Sequence, residues 1–176
     1  MPNRTDQMMS KGMEAVKAVK ATVKGVHGVF RTLMEQHGAV SALLRRVQKD
    51  ADKRAELWPE IRKELLSHEK GELRIVYPAL REHAETRAFA DRHEGEASTL
   101  ESQIKLIDAE SIGSPTWVSG FDRLVELVQR HVDFEESEVF PAAMKALGDD
   151  RARELDDRFR EVKQLEARQA TTNPRA

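Results

Sequence analysis

Four histidines and two glutamates fall at positions where a helical protein buries apolar side chains. His37, His68, His93 and His131 each belong to a hydrophobic stripe with steps of three and four residues. His68 and His131 are each followed four residues later by a glutamate, Glu72 and Glu135. That spacing stacks both side chains on one helix face. A carboxylate at a core position is costly unless it is paired or coordinates a metal. Four imidazoles and two carboxylates meeting in a core cannot all be satisfied cheaply by one another. A cation relieves all six together.

The pattern is duplicated. Residues 68–79 read HEKGELRIVYPA and residues 131–142 read HVDFEESEVFPA. Both follow His-x3-Glu-x3-Val-aromatic-Pro-Ala. Each is preceded by a helix with one stripe histidine: His37 lies 31 residues before His68, and His93 lies 38 before His131. Two related helical hairpins, paired antiparallel, imply two metal ions, each with two histidines, bridged by two carboxylates. Mixed imidazole and carboxylate ligation without sulfur suits iron, manganese or zinc. Carboxylate bridges between bundle helices are the di-iron and di-manganese design.

The elements that must position these groups are read from periodicity. The first stripe, Val16, Val19, Val23, Val26, Phe30, Leu33, His37, Val40, Leu44 and Val47, predicts a helix over about residues 12–49. Trp58-Pro59 marks a second start, since proline is tolerated in a first helical turn. Its stripe is Ile61, Leu65, His68, Glu72 and Ile75, and Pro78 ends or kinks it, leaving Arg81 to Arg87 as a polar connection. The third stripe is Phe89, His93, Ala97, Leu100, Ile104 and Ile107, and the fourth is Trp117, Phe121, Leu124, Val128, His131 and Glu135. Gly148-Asp149-Asp150 breaks the chain before a fifth helix with Leu155, Phe159, Val162 and Leu165. The expected fold is all-α: an up-down-up-down antiparallel four-helix bundle with a short extra C-terminal helix packed outside it. The expected divisions are 1–26 as an extension of the first helix, 27–147 as the bundle, and 148–176 as the C-terminal helix and tail.

Composition narrows the function classes. The 176 residues include no cysteine, which excludes disulfides, iron–sulfur clusters, thiolate zinc sites and a cysteine nucleophile. Lysine and arginine number 29 against 31 acidic residues, a net charge of −2, so no global field draws nucleic acid or an anionic membrane. No apolar run approaches the roughly 20 residues of a membrane span, and the start lacks a secretory h-region. The expected location is the cytoplasm. Lys11, Lys17, Lys20 and Lys24 read as a solvated basic face over an apolar stripe, with a homodimer or partner contact as the alternative.

The two histidine–glutamate motifs, each followed by an aromatic-Pro pair, resemble the hemerythrin-like HHE cation-binding domains. The resemblance covers about residues 27–147. It implies a four-helix bundle around two iron ions in an oxo- or hydroxo-bridged di-iron centre, with zinc or manganese as other occupants. His37 and His68 would bind one iron, His93 and His131 the other, with Glu72 and Glu135 bridging. The chain departs from the oxygen carriers in its third helix, where Ala97 stands in place of a second histidine. It is closer to iron-sensing hemerythrin-like domains, which also carry a glutamate directly after the helix-2 histidine. That residue is Glu69 here, a terminal-ligand candidate on resemblance. Glu96, three residues after His93 at the edge of its stripe, is a substitute ligand for the missing histidine, and Glu136, at the place of the carriers' helix-4 aspartate, is a weaker ligand candidate.

The implied function is a metal-binding protein whose open iron positions bind O2, NO or hydrogen peroxide, in oxygen, NO or iron sensing or handling. Phe30, Leu33, Leu65, Leu100 and Val128 are expected to keep bulk water away from the site. A catalase-like redox enzyme uses the same ligands, so the sequence leaves open whether the chain is an enzyme. A metal-ordered interaction module is a third reading. No motif marks a pocket for an organic substrate, a phosphate loop or a catalytic triad.

Overall fold

A computed structural model describes residues 25–172 of the chain. Among these residues every regular element is helical. Helix α1 is Gly28–Lys49, followed by a 3-10 turn, Ala51–Lys53. Then come α2 (Arg54–Gly71), a π-helical turn π1 (Glu72–Val76) and α3 (Tyr77–Arg81), which together form one column. Next are α4 (Arg87–Asp108), α5 (Pro115–Phe134), a second π turn π2 (Glu135–Val139) and α6 (Phe140–Thr172). None of the described helices is long and apolar enough to cross a membrane.

The ends of these helices follow local chemistry. Ser114 accepts a hydrogen bond from the Trp117 amide at 3.1 Å, and Pro115 occupies the first helical turn of α5. Asp50 accepts from the Asp52 amide at 3.0 Å and caps the 3-10 turn. This cap lets α2 begin at Arg54, before the expected Trp58-Pro59 start, and Pro59 lies inside the helix. At the other end, Pro78 does not end the column, because π1 precedes it and α3 continues to Arg81. The break at Gly148 is real: its φ of 72° and ψ of 169° divide α6 in two.

Side-chain meetings fix the helix directions. Along α1 and the α5–α6 column, Phe30 meets Phe140, His37 meets Glu136 and Gln48 meets Asp122. Between α4 and α5, Phe89 meets Phe134, Glu96 meets His131 and Gln103 meets the Gly120 carbonyl. Between α2 and α4, Trp58 meets Asp108 and Glu69 meets His93. Each of these three helix pairs runs in opposite directions.

Two apolar cores fill the bundle. One contains Phe30, Leu33, Val76, Tyr77, Phe140, Leu155 and Phe159. The other contains Leu44, Trp58, Ile61, Ile104, Trp117 and Leu124. On α1, His37 lies between Leu33 of the first and Val40 of the second, and His68, His93 and His131 are buried with it. The four histidines thus form a polar layer between two dry ones. The first predicted helix is corrected at its start. His27 is extended (φ −129°, ψ 162°) and α1 begins at Gly28, while Val16, Val19, Val23 and the Lys-rich start lie outside the described residues.

Candidate metal centre

Both halves of the site are built on the same local irregularity. π1 begins at Glu72 and π2 at Glu135. The Tyr77 amide donates to the Glu72 carbonyl, and the Phe140 amide donates to the Glu135 carbonyl, each five residues back. Pro78 and Pro141 follow at once, and neither has an N–H with which to continue a regular ladder. The aromatic-Pro pair of the repeat therefore sits where the helix widens by one residue. Such π turns are frequent at functional sites. Both glutamates at their starts are fully buried, with 0% exposure.

The donor atoms converge in two groups. His37, His68, Glu72 and Glu135 offer one set, and Glu69, Glu72, His93 and His131 offer the other; within each set the ligating atoms lie within 4.8 Å of one another. Glu72 belongs to both. Its Oε2 is 3.4 Å from His68 Nε2 and 3.7 Å from His93 Nε2. Glu135 Oε2 lies 3.2 Å from His37 Nε2 and 3.3 Å from His131 Nε2. Each carboxylate thus stands between one imidazole of each hairpin. Glu69 reaches His131 Nε2 at 3.3 Å and His93 Nε2 at 3.7 Å. Donors held about 2.1 Å from one ion sit roughly 3.0–3.4 Å from each other, which matches most of these spacings.

Crowding and burial push the proton affinities of the cluster in opposite directions. Burial, reinforced by Glu135 and Glu69, pushes the Glu72 carboxyl well above the usual carboxylate range. Burial also lowers His68, helped by the like charge of His37, and lowers His93 despite Glu69 and Glu135. For His131 the desolvation is outweighed by Glu135, Glu69 and Glu96, so it is held well above the ordinary histidine value. His37 is raised too, by Glu135 and Glu136 against burial. Glu135 stays ionised far below its usual range, because His131 and His37 overcome its desolvation. Protons are thus held on Glu72, His131 and His37 and disfavoured on Glu135, His68 and His93. Even so, Glu69 Oε2, both Glu72 oxygens, both His93 nitrogens, His131 Nε2 and Glu135 Oε2 are buried without a hydrogen-bond partner. Buried polar groups in folded proteins are normally satisfied, so this concentration of unpaired donors fits a metal site.

Residues 20–143 match the family described as Hemerythrin HHE cation binding domain. The chain belongs to that family. No curated protein and no solved structure matches it.

Within this hemerythrin-like bundle the sequence candidates separate by depth. His37, His68, Glu72, His93, His131 and Glu135 all face the cluster, and Glu69 joins them, only 6% exposed. Glu96, read as a substitute ligand, stands outside both groups. Its Oε2 lies behind His131, 3.2 Å from Nδ1, because α4 turns it to the bundle edge, where Arg92 also binds it. Glu136 is likewise behind His37, 3.0 Å from Nδ1. A carboxylate on the far ring nitrogen is a common device for orienting a ligand imidazole. Two aromatic rings from equivalent repeat positions complete the arrangement. Tyr77 stacks on His93 with centroids 3.6 Å apart, and Phe140 stacks on His37 at 5.8 Å.

Three features were not read from the sequence. Gln36 Oε1 is 3.0 Å from His68 Nδ1, and Lys163 of α6 binds that same oxygen. A cavity of about 140 Å³, walled by Val40, Leu43, Leu65, Leu100 and Val128, reaches His37, His68, Glu69 and His131. Of its walls, Val40, Leu65, Leu100 and Val128 belong to the predicted stripes, but the space between them leaves no mark in one sequence.

Proposed function

We propose that this chain holds two iron ions, and that their open positions bind O2, NO or hydrogen peroxide in sensing or handling of oxygen, NO or iron. The observation that carries the reading is the pair of buried donor groups joined by Glu72, with seven of their atoms lacking any hydrogen-bond partner. His37 and His68 would hold one ion, His93, His131 and Glu69 the other, with Glu72 and Glu135 shared. The ions would supply open coordination positions and electrons for a small oxidant; zinc or manganese would fit the same donors. The protein's own part is to orient and to enclose. Glu136, Gln36 and Glu96 fix the planes of His37, His68 and His131 from behind. Phe30, Leu33, Leu65, Leu100 and Val128, all buried, give the layer apolar walls.

A second reading, peroxide decomposition by a redox enzyme, draws on Tyr77. Its hydroxyl holds a proton on Glu135 at the edge of the cluster, where breaking an O–O bond calls for proton delivery. Metal analysis with an optical spectrum of the oxidised protein tests the main reading. The expected result is about two ions per chain with ferric charge-transfer bands, as for a bundle-held di-iron pair. Protein that takes up no iron under reducing, anaerobic loading would overturn it. Rapid O2 evolution from peroxide by the loaded chain would favour the enzyme.

A further inference from the structure

The part of α6 beyond Gly148 lies outside the family match of residues 20–143, yet it touches the candidate centre. It lies along α1 and α2. Ala152 abuts Gly28, and Phe159 crosses Gly71 and meets the His68 ring edge-on, with centroids 6.1 Å apart. One turn further, Lys163 donates to Gln36 Oε1 at 2.7 Å and to Glu64 Oε2 at 2.8 Å. The Gln36 oxygen so held is the atom that lies 3.0 Å from His68 Nδ1.

These contacts constrain the His68 proton. An ammonium has three donors and no acceptor, so Lys163 can face the oxygen of the Gln36 amide and not its NH2. With that oxygen also turned towards His68, Nδ1 must be the donor. A neutral imidazole carries a single N–H, so Nε2 keeps its lone pair. Nε2 is the atom that faces the cluster, 3.4 Å from Glu72 Oε2 and 3.3 Å from His37 Nε2. Without the ammonium the amide is free to turn over. Its NH2 would then donate to Nδ1, and the ring proton would sit on Nε2, where it blocks ligation. We infer that Lys163 is a positioning residue of the metal centre: acting through Gln36, it selects the His68 tautomer that can bind a cation. The C-terminal helix is on this account part of the site. The inference rests on the reading of His68 as a ligand.

Three full-length variants test it, with two readouts: the 15N imidazole signals of the metal-free protein and the affinity for Zn2+ alone. Lys163→Met should give His68 a mixture of both tautomers and weaken zinc binding about tenfold, the low end of the range for losing an outer-sphere partner. Lys163→Arg, which also only donates, should behave as the wild type. The double variant Lys163→Met with Gln36→Glu should recover both signals, because a carboxylate only accepts and holds the Nδ1–H form unaided. A Lys163→Met chain with an unchanged tautomer and unchanged zinc affinity overturns the inference. So does a double variant that stays as impaired as the single one, since the loss would then come from undocking the helix. If the wild type takes up no zinc, the metal reading fails, while the tautomer of the metal-free chain still decides the role of Lys163.

Discussion

The hydroxyl of Tyr77 donates to Glu135 Oε1 at 2.5 Å, joining the first hairpin to the second inside the polar layer. Its ring lies flat on His93, tilted by only 8°. The equivalent repeat position holds Phe140, which stacks on His37 without any hydroxyl. Tyr77→Phe is therefore a substitution the fold already uses once. It should keep the stacking and remove only the hydrogen bond, lowering stability by about 1.5–3 kcal/mol, as for a hydrogen bond to a charged group. Chemical denaturation measures the loss, and a retained helical signal shows that the bundle survives. No change in stability would mean that the Glu135 oxygen is satisfied in some other way.

Metal content should follow the layer rather than histidine number. His68→Ala and His131→Ala each remove a donor from one group and should each lose metal and lower the thermal midpoint. His83, in the connection after α3 and outside both groups, provides the control. His83→Ala should retain the wild-type metal content. The check is elemental analysis of the three purified proteins beside the wild type. Full metal in both cluster variants would count against the donor assignment.

Acid and metal should compete with a definite sign. In the metal-free chain His131 and Glu72 hold protons more tightly than in the unfolded state, where their values are 6.5 and 4.5. The stability those protons lend is complete below the unfolded values and drains away as pH climbs through the raised folded ones. A bound cation replaces them, so uptake near neutral pH releases protons. The gap in thermal midpoint between loaded and stripped protein should therefore widen from pH 6 to pH 8 on account of these two groups. Below the ordinary histidine range His68 and His93 also take up protons, and metal should be released. A gap that is constant across this span would contradict the sign.

The stripe histidines were legible because burial in a helix leaves a period, and a polar residue in that period stands out. The same logic did not reach Glu69, which was a candidate on resemblance alone. It lies about 100° round the helix from His68, so it reads as the edge of a surface. That edge, however, faces α4 and α5 inside the bundle, where it meets His93 and His131. The π turns had a visible cause, an aromatic-Pro pair after each glutamate, but their consequence depends on backbone geometry rather than on side-chain period. Gln36 and Lys163 were beyond reach, because 127 residues separate them and only the docking of α6 brings them together. The start of α1 was misread for a simpler reason: the apolar period runs on through Val26 while the backbone at His27 is extended.

That docking can be tested at one close approach. Gly28 opens α1 with a φ of +59°, and a Cβ there would lie 2.4 Å from the carbonyl carbon and oxygen of Ala152. Both atoms are backbone, so neither a rotamer change nor a small shift relieves the overlap. The left-handed conformation adds a further cost of about 1 kcal/mol for any residue with a Cβ. Gly28→Ala should therefore cost more than about 2 kcal/mol and loosen the C-terminal helix first. Gly38, exposed in the middle of the same helix with nothing within 4 Å of its added carbon, provides the opposite case. Gly38→Ala should stabilise the protein by roughly 0.5–1 kcal/mol, since alanine loses less backbone freedom in a helix. Urea denaturation ranks the three proteins, and hydrogen exchange along residues 150–169 reports the docking. A Gly28→Ala protein as stable as the wild type, with that segment equally protected, would mean that α6 does not seat on α1 as described.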